Sequence, residues 1–211
     1  MPLHITQRGV DRGKTFVIAE DYAFYRWALR EAAAESECSL HSYGLMTNHT
    51  HVLLTPADVD SPTRLMQSLG RRYVRYFNDR YRRTGPLWEG RFRSTIVDTT
   101  AYFFASSRYI ELNPVRANLV NDPAKYEWSS FRCNALGHAD PLVTPHREYE
   151  ALGRDRAARL KAYRALFAAE LDARELAGIR AELRGRPRLH PSPYRQIVAA
   201  STAVRFADVT R

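Results

Sequence analysis

Cysteine is close to absent: Cys38 and Cys133 are the two that 211 residues carry. They stand far apart and outside any metal-type spacing, which argues against a structural zinc cluster and against a disulfide framework. No run of about 18 apolar residues occurs, so no membrane-spanning helix is expected. The first residues, MPLHITQRGV, lack a secretory apolar region, and the expectation is a cytoplasmic protein. A GxxxxGK[ST] phosphate loop is missing too, which removes the usual machinery for nucleotide hydrolysis. There is no internal repeat and no low-complexity tract. Acidic residues are in short supply: Asp and Glu number 23 against 32 Lys and Arg, a net charge of +9. A solubilising arginine-rich surface accounts for that balance, and so does a polyanionic partner such as nucleic acid. The 12 tyrosines and 9 phenylalanines interleaved with arginine fit the second reading, since both ring types and guanidinium planes stack on bases.

What the chain does have is a regular alternation of elements. His4 to Gly9 reads as a strand, Asp21 to Ser36 as a helix with Phe24, Trp27 and Ala28 on one face. Ser39 to Met46 and His49 to Thr55 read as two strands joined at Thr47-Asn48, with Pro56 ending the second. A helix follows from Thr63 to about Arg83, with Gly85-Pro86 as its stop, carrying Met66, Leu69, Tyr73 and Phe77 on one face. A strand lies within Leu87 to Val97, and then a helix starts at Asp98 or Thr99 and runs to Asn113, before Pro114. This order predicts an α+β fold: a ferredoxin-like βαββαβ antiparallel sheet with an extra C-terminal helix. The third strand should be central, with both faces covered. Residues 1–138 would form this domain. Residues 139–211 would form a mainly helical, basic C-terminal extension, with helices within Asp155 to Arg184. Its end, GRPRLHPSPYRQ and beyond, would be partly disordered or order on nucleic acid.

The predicted central strand begins His49-Thr50-His51. Alternation puts both imidazoles on one face, roughly 7 Å apart at their Cα atoms, so they can converge on one ion. Zinc would call for further Cys, His or carboxylate ligands nearby, and no such pattern stands out. The stretch SSRYIELNPVRA places Tyr109 and Asn113 four residues apart, on one helix face. Tyr109 suits a core position and Asn113 suits a helix C-terminus. They suit a metal-assisted nucleophile site equally well, with His49, His51 and the Asn113 amide oxygen holding Mg²⁺ or Mn²⁺ while the phenol attacks. Arginine is concentrated in GRRYVRYFNDRYRR, with Arg71, Arg72, Arg75, Arg82 and Arg83, and in GPLWEGRFR, with Trp88, Arg91 and Arg93. These form either a solvated face or a surface that tracks phosphates, with Arg8 and Arg116 as further candidates.

The pieces HITQRG, LMTNHTHVLLTP, LWEGRFRS and YIELNPVRANLV, in that order, resemble the REP-associated tyrosine transposases, within the HUH single-tyrosine transposases. The resemblance covers about residues 3 to 135. It departs at Thr50, where the family carries a bulky hydrophobe; that side chain points away from the histidine face. The resemblance implies Tyr109 as catalytic nucleophile, His49, His51 and Asn113 as metal ligands, and cleavage and strand transfer of single-stranded DNA at palindromic hairpins. A free tyrosine ionises near pH 10, so roughly one in a thousand is phenolate at neutral pH, a penalty of about 4 kcal/mol. Transesterification conserves bond energy and asks for no nucleotide. One copy or two would suffice for it, and a nucleoid location would follow. A histidine phosphoesterase would want a further histidine at position 53, where Leu53 stands, or a second His-x-Thr motif to match His4-Ile5-Thr6. A non-catalytic hairpin-binding protein is the remaining alternative.

Overall fold

The computed structural model describes residues 1–168, Leu171 and residues 173–184. Its elements run β1 (Leu3–Arg8), α1 (Ala19–Glu35), β2 (Cys38–Met46), β3 (His49–Pro56), α2 (Ser61–Tyr81), β4 (Arg93–Ile96) and α3 (Thr100–Glu111). Five further helices follow: α4 (Asn113–Arg116), α5 (Phe131–Leu136), α6 (Arg147–Glu150), α7 (Arg156–Ala165) and α8 (Ala173–Arg184). The strands form one antiparallel sheet in the order β2-β3-β1-β4. This is the expected ferredoxin-like βαββαβ arrangement, with β3 central and α3 as the additional helix. The expected basic tail from Gly185 onward lies outside the described residues.

Alternation along the strands sorts two cores onto the two faces of the sheet. Ile5, Val52 and Leu54 point to one face, where α1 and α2 cover them. Leu53 points to the other, where it packs with Phe103, Phe104 and Ile110 of α3 and with Tyr163 and Ile179 of α7 and α8. Residues of the C-terminal extension therefore complete the core on which α3 rests. The outer edge of β2 is not left open. Trp128 and Tyr43 supply carbonyls to Leu45 and Ser130, and Thr144 donates its N–H to the Leu40 carbonyl.

Two local expectations need correction. The buried stripe of α1 is Tyr22, Tyr25, Ala28, Leu29, Ala32 and Ala33, whereas Trp27 is 45% exposed. Small alanines let α1 lie close to the sheet, and Phe24 sits on the flank, stacked on Tyr76 of α2 at 4.0 Å. Helix α2 ends at Tyr81, before Gly85-Pro86, because Arg82 takes the left-handed conformation at φ 48°. The last strand lies within Leu87–Val97, as expected, at Arg93–Ile96. Trp88 makes a single bridge to Gly9, and the chain then turns at Gly90, φ 75°, before pairing from Arg93. That turn turns Glu89 and Arg91 toward the mouth of a cleft.

Candidate active site

Strand pairing gathers the site. In the β1–β3 ladder Thr6 faces His51 and Arg8 faces His49, so His4, Thr6 and Arg8 share a face with the two histidines. Helix α3 crosses that face. It comes close because β2 has a glycine beside His51: a Cβ on Gly44 would lie 3.1 Å from the Ile110 carbonyl oxygen and 3.3 Å from its Cγ2. Gly44→Val should displace α3 and lower stability by about 1–3 kcal/mol, as overpacking does. Urea denaturation checks this, and an unchanged midpoint would show that the helix can adjust at no cost.

The back of α3 is pinned by Glu111. Its carboxylate is fully buried and accepts from Ser42 at 3.2 Å, Ser130 at 2.6 Å, Asn134 at 3.0 Å and Tyr163 at 2.9 Å. Burial raises its pKa to about 7, and the hydrogen bonds hold it from rising further. Two residues earlier, Tyr109 points to the opposite side of the helix, into the site. Glu111→Ala would take away the shared acceptor of four buried donors, and we expect a loss on the order of 3 kcal/mol in urea. A loss below about 1 kcal/mol would mean that these donors find other partners.

Helix α3 ends at Glu111 with Leu112 as its cap, and Asn113 opens the short α4, so Asn113 is not the C-terminal cap that its position before Pro114 suggested. Its amide nitrogen lies 3.2 Å from His49 Nε2. The other nitrogen of His49, Nδ1, lies 2.7 Å from Asn48 Oδ1, which can only accept, so Nδ1 carries the proton and Nε2 the lone pair. His51 Nδ1 lies 2.9 Å from His4 Nε2. The Tyr109 ring stands edge-on to His51, with 5.6 Å between centroids. Arg116 covers the other side of that ring at 4.4 Å and donates to the Tyr109 carbonyl at 2.5 Å. Burial lowers the Arg116 pKa to about 10.

Burial, with help from Arg8, lowers the His49 pKa to about 4. Burial first, then His4, His49, Arg116 and Arg8, holds His51 well below the usual imidazole range. Both rings are thus neutral at physiological pH, which is the state that binds metal. Among the described residues no cluster of three His, Cys, Asp or Glu exists that would hold an ion. The donor set here is different: two imidazoles and one amide. Turning the Asn113 amide by a half-rotation presents its oxygen where its nitrogen is placed. Two nitrogens and an oxygen on one side fit an octahedral divalent ion that keeps positions open for water or phosphate oxygens.

The histidines and Tyr109 line an open cleft of ≈ 230 Å³, with Arg8, Arg91, Arg93, Arg180 and Glu89 around it. Four guanidinium groups against one carboxylate make it strongly cationic. The remaining sequence candidates lie elsewhere. Arg71, Arg72, Arg75, Arg82 and Arg83 belong to α2 or its C-terminus, in the layer on the other face of the sheet. Arg72 is held by Glu35 at 2.5 Å, Arg75 lies 3.9 Å from Asp79, and Arg83 donates to the Pro86 carbonyl. Trp88 needs correcting as part of a phosphate-tracking surface: it is 8% exposed and packs on Tyr25 and Tyr73 in the core. Sequence reasoning did not assign His4 or Arg180 to the site. Period-two alternation in β1 pointed at His4, whereas nothing local to α8 pointed at Arg180.

Residues 1–113 match the model of the IS200-like transposases, a span that runs from β1 through Tyr109 to Asn113. The chain belongs to the IS200-like transposase family. Its fold is also that of a REP-associated tyrosine transposase solved bound to a REP hairpin: 16% identity, 69% of this chain and 86% of that one, TM-score 0.55. A protein of Deinococcus radiodurans R1 assigned as a transposase is similar over 46% of this chain and 79% of that one, at 23% identity and TM-score 0.40. Among curated proteins there is no match. No helix of the described residues in this transposase is long and apolar enough to cross a membrane.

Proposed function

We propose that this transposase cuts and rejoins single-stranded DNA at palindromic hairpins, with Tyr109 as nucleophile and Mg²⁺ or Mn²⁺ held by His49, His51 and Asn113. The observation that carries the reading is the meeting of His49, His51 and Tyr109 at one cationic cleft, with Tyr109 edge-on to His51 and Asn113 within 3.2 Å of His49. The Tyr109 oxygen would give up its proton to solvent and form a bond to phosphorus, while the bond from phosphorus to the 3′ oxygen breaks and that oxygen takes up a proton from solvent. The products are a 5′-phosphotyrosine and a free 3′-OH, and the same step run backward joins a new strand. When bound, the ion would draw on non-bridging phosphate oxygens and make phosphorus more electrophilic.

The chain's own groups do the rest. Arg8, Arg91 and Arg93 would hold the phosphates beside the cut, and Arg116 would fix the ring and carbonyl of Tyr109. Arg71, Arg75 and Arg82 would meet only DNA that passes round to the other layer. Residues 1–138 would form the catalytic domain, with residues 139–211 as its extension. The hairpin partner is proposed from the fold shared with the hairpin-bound transposase and from the cleft's charge. A phosphoesterase that used His4 is disfavoured, because His4 is fully buried and turned toward His51.

The test is covalent trapping. Single-stranded DNA carrying a palindromic hairpin from beside the gene, labelled 3′ of the expected cut, is incubated with Mn²⁺ and run on an SDS gel. A labelled protein band that disappears with EDTA is expected. Hairpin binding on a native gel with no such band would replace the proposal with a non-catalytic binding protein. Binding itself should weaken with salt by roughly 0.7 log unit per decade for each phosphate contacted.

A further inference from the structure

His4 is used by no step above, yet it is fully buried against a metal-binding face. Its Nε2 meets His51 Nδ1 at 2.9 Å, and its own Nδ1 is buried with no hydrogen-bond partner among the described residues. We propose that His4 is a positioning residue, which accepts the N–H of His51 Nδ1 and so fixes the tautomer that offers His51 Nε2 to the divalent ion. This inference rests on the metal site proposed above.

Two neutral imidazoles facing each other nitrogen to nitrogen share one proton. If His4 Nε2 carries it, His51 Nδ1 accepts, and the His51 proton moves to Nε2, where it blocks coordination. If His51 Nδ1 carries it, Nε2 of His51 keeps a lone pair, and His51 is a residue that lines the cleft. His4 then accepts with Nε2 and holds its own proton on Nδ1, the atom that has no partner. That stranded group is the structural cost of the arrangement, and it makes sense where the gain is a correctly presented ligand. His49 obtains the same result by another route, through the acceptor oxygen of Asn48. Both metal-facing histidines thus have an acceptor behind Nδ1, one from the β2–β3 turn and one from β1.

Position explains why His4 can do this. It stands opposite Leu53 in the ladder, hence diagonal to His51 on the same face, and its ring lies 5.1 Å from the His51 ring. The Tyr109 ring is 6.0 Å from it, so the three rings pack as one cluster.

The measurement uses the full chain with nitrogen-15-labelled histidine and no DNA. Long-range proton–nitrogen spectra report the His51 tautomer, and Mn²⁺ affinity is read by electron paramagnetic resonance. In the parent, His51 is expected as the Nδ1–H form, and Mn²⁺ binding is expected to vanish in His49→Ala. His4→Phe keeps the packing but removes the acceptor; it should shift His51 toward Nε2–H and weaken Mn²⁺ binding by roughly 10–100-fold, as losing a ligand's hydrogen-bond partner does. His4→Gln, whose amide oxygen can accept from Nδ1, should recover most of that affinity. Parent-like Mn²⁺ affinity in a folded His4→Phe, or an Nε2–H tautomer of His51 in the parent, would overturn the role of His4 alone. Absence of Mn²⁺ binding in the parent would sink the metal site and this inference together.

Discussion

Tyr109→Phe is expected to abolish the covalent adduct and to reduce cleavage by roughly 10⁴-fold or more, the scale seen when an essential nucleophile is removed. The substitution takes away one oxygen atom. The ring is 8% exposed, and its neighbours are His4, His51 and the guanidinium of Arg116, all of which contact the ring itself. The Arg116 hydrogen bond goes to the backbone carbonyl of Tyr109 and survives as well. Packing, metal affinity and hairpin affinity should therefore stay within about threefold of the parent, since no contact of the ring is lost. Losing chemistry while keeping binding is what a nucleophile produces, and a structural tyrosine would not do so. Cleavage persisting in Tyr109→Phe, with a covalent band, would assign the attack to another residue.

The second large effect is acid sensitivity. His4 has its pKa lowered to about 3, His41 and His49 to about 4, and His51 well below the ordinary value, in each case mainly by burial. A histidine whose folded pKa is depressed stays neutral while the unfolded chain takes up a proton. Stability is then lost as pH falls through about 6.5 and continues to fall down to the folded pKa. Between pH 7 and pH 5 this amounts to about 2 kcal/mol per histidine. Glu111 works in the opposite sense. Its folded pKa, raised to about 7, adds stability at low pH that disappears as pH rises through 7. That recovers about 2 kcal/mol between pH 7 and pH 5, so four histidines outweigh one carboxyl and the net loss is on the order of 5 kcal/mol. A domain whose whole stability is about 5–15 kcal/mol should come close to unfolding at pH 5. Thermal melts at half-unit steps of pH check this in buffers free of divalent ions. A melting temperature that is flat from pH 7 to pH 5 would mean that these rings are not held neutral.

Much of the architecture was legible because it rests on short-range rules. The period of two in His49-Thr50-His51-Val52-Leu53-Leu54 assigns faces with no knowledge of the partner strands, and the two cores divide along it. The helical face of α2, from Met66 through Leu69 and Tyr73 to Phe77, came from spacing alone. The errors lie where neighbours in space decide. Trp27 reads as a core residue until the sheet is seen to contact α1 one strip further round. Trp88 reads as part of a nucleic-acid surface until Tyr25 and Tyr73 pack against it. Arg72 reads as a free cation until Glu35, from a different helix, takes it.

Residue types and their spacing establish the kinds of chemistry present and their order: two imidazoles on a strand, a phenol and an amide four residues apart, and arginines before and after. Local geometry suffices for that, because strand alternation and the helical turn act over two to four residues. Which of these groups meet depends on how the elements pack. Antiparallel pairing of β1 with β3 brings His4 to His51 across 47 residues of chain. The missing side chain of Gly44 lets α3 approach closely enough for Tyr109 to stand against His51. Helix α8 brings Arg180 to the rim of the same cleft. Contacts of that kind depend on register and on the closeness of packed elements, which no window of sequence contains.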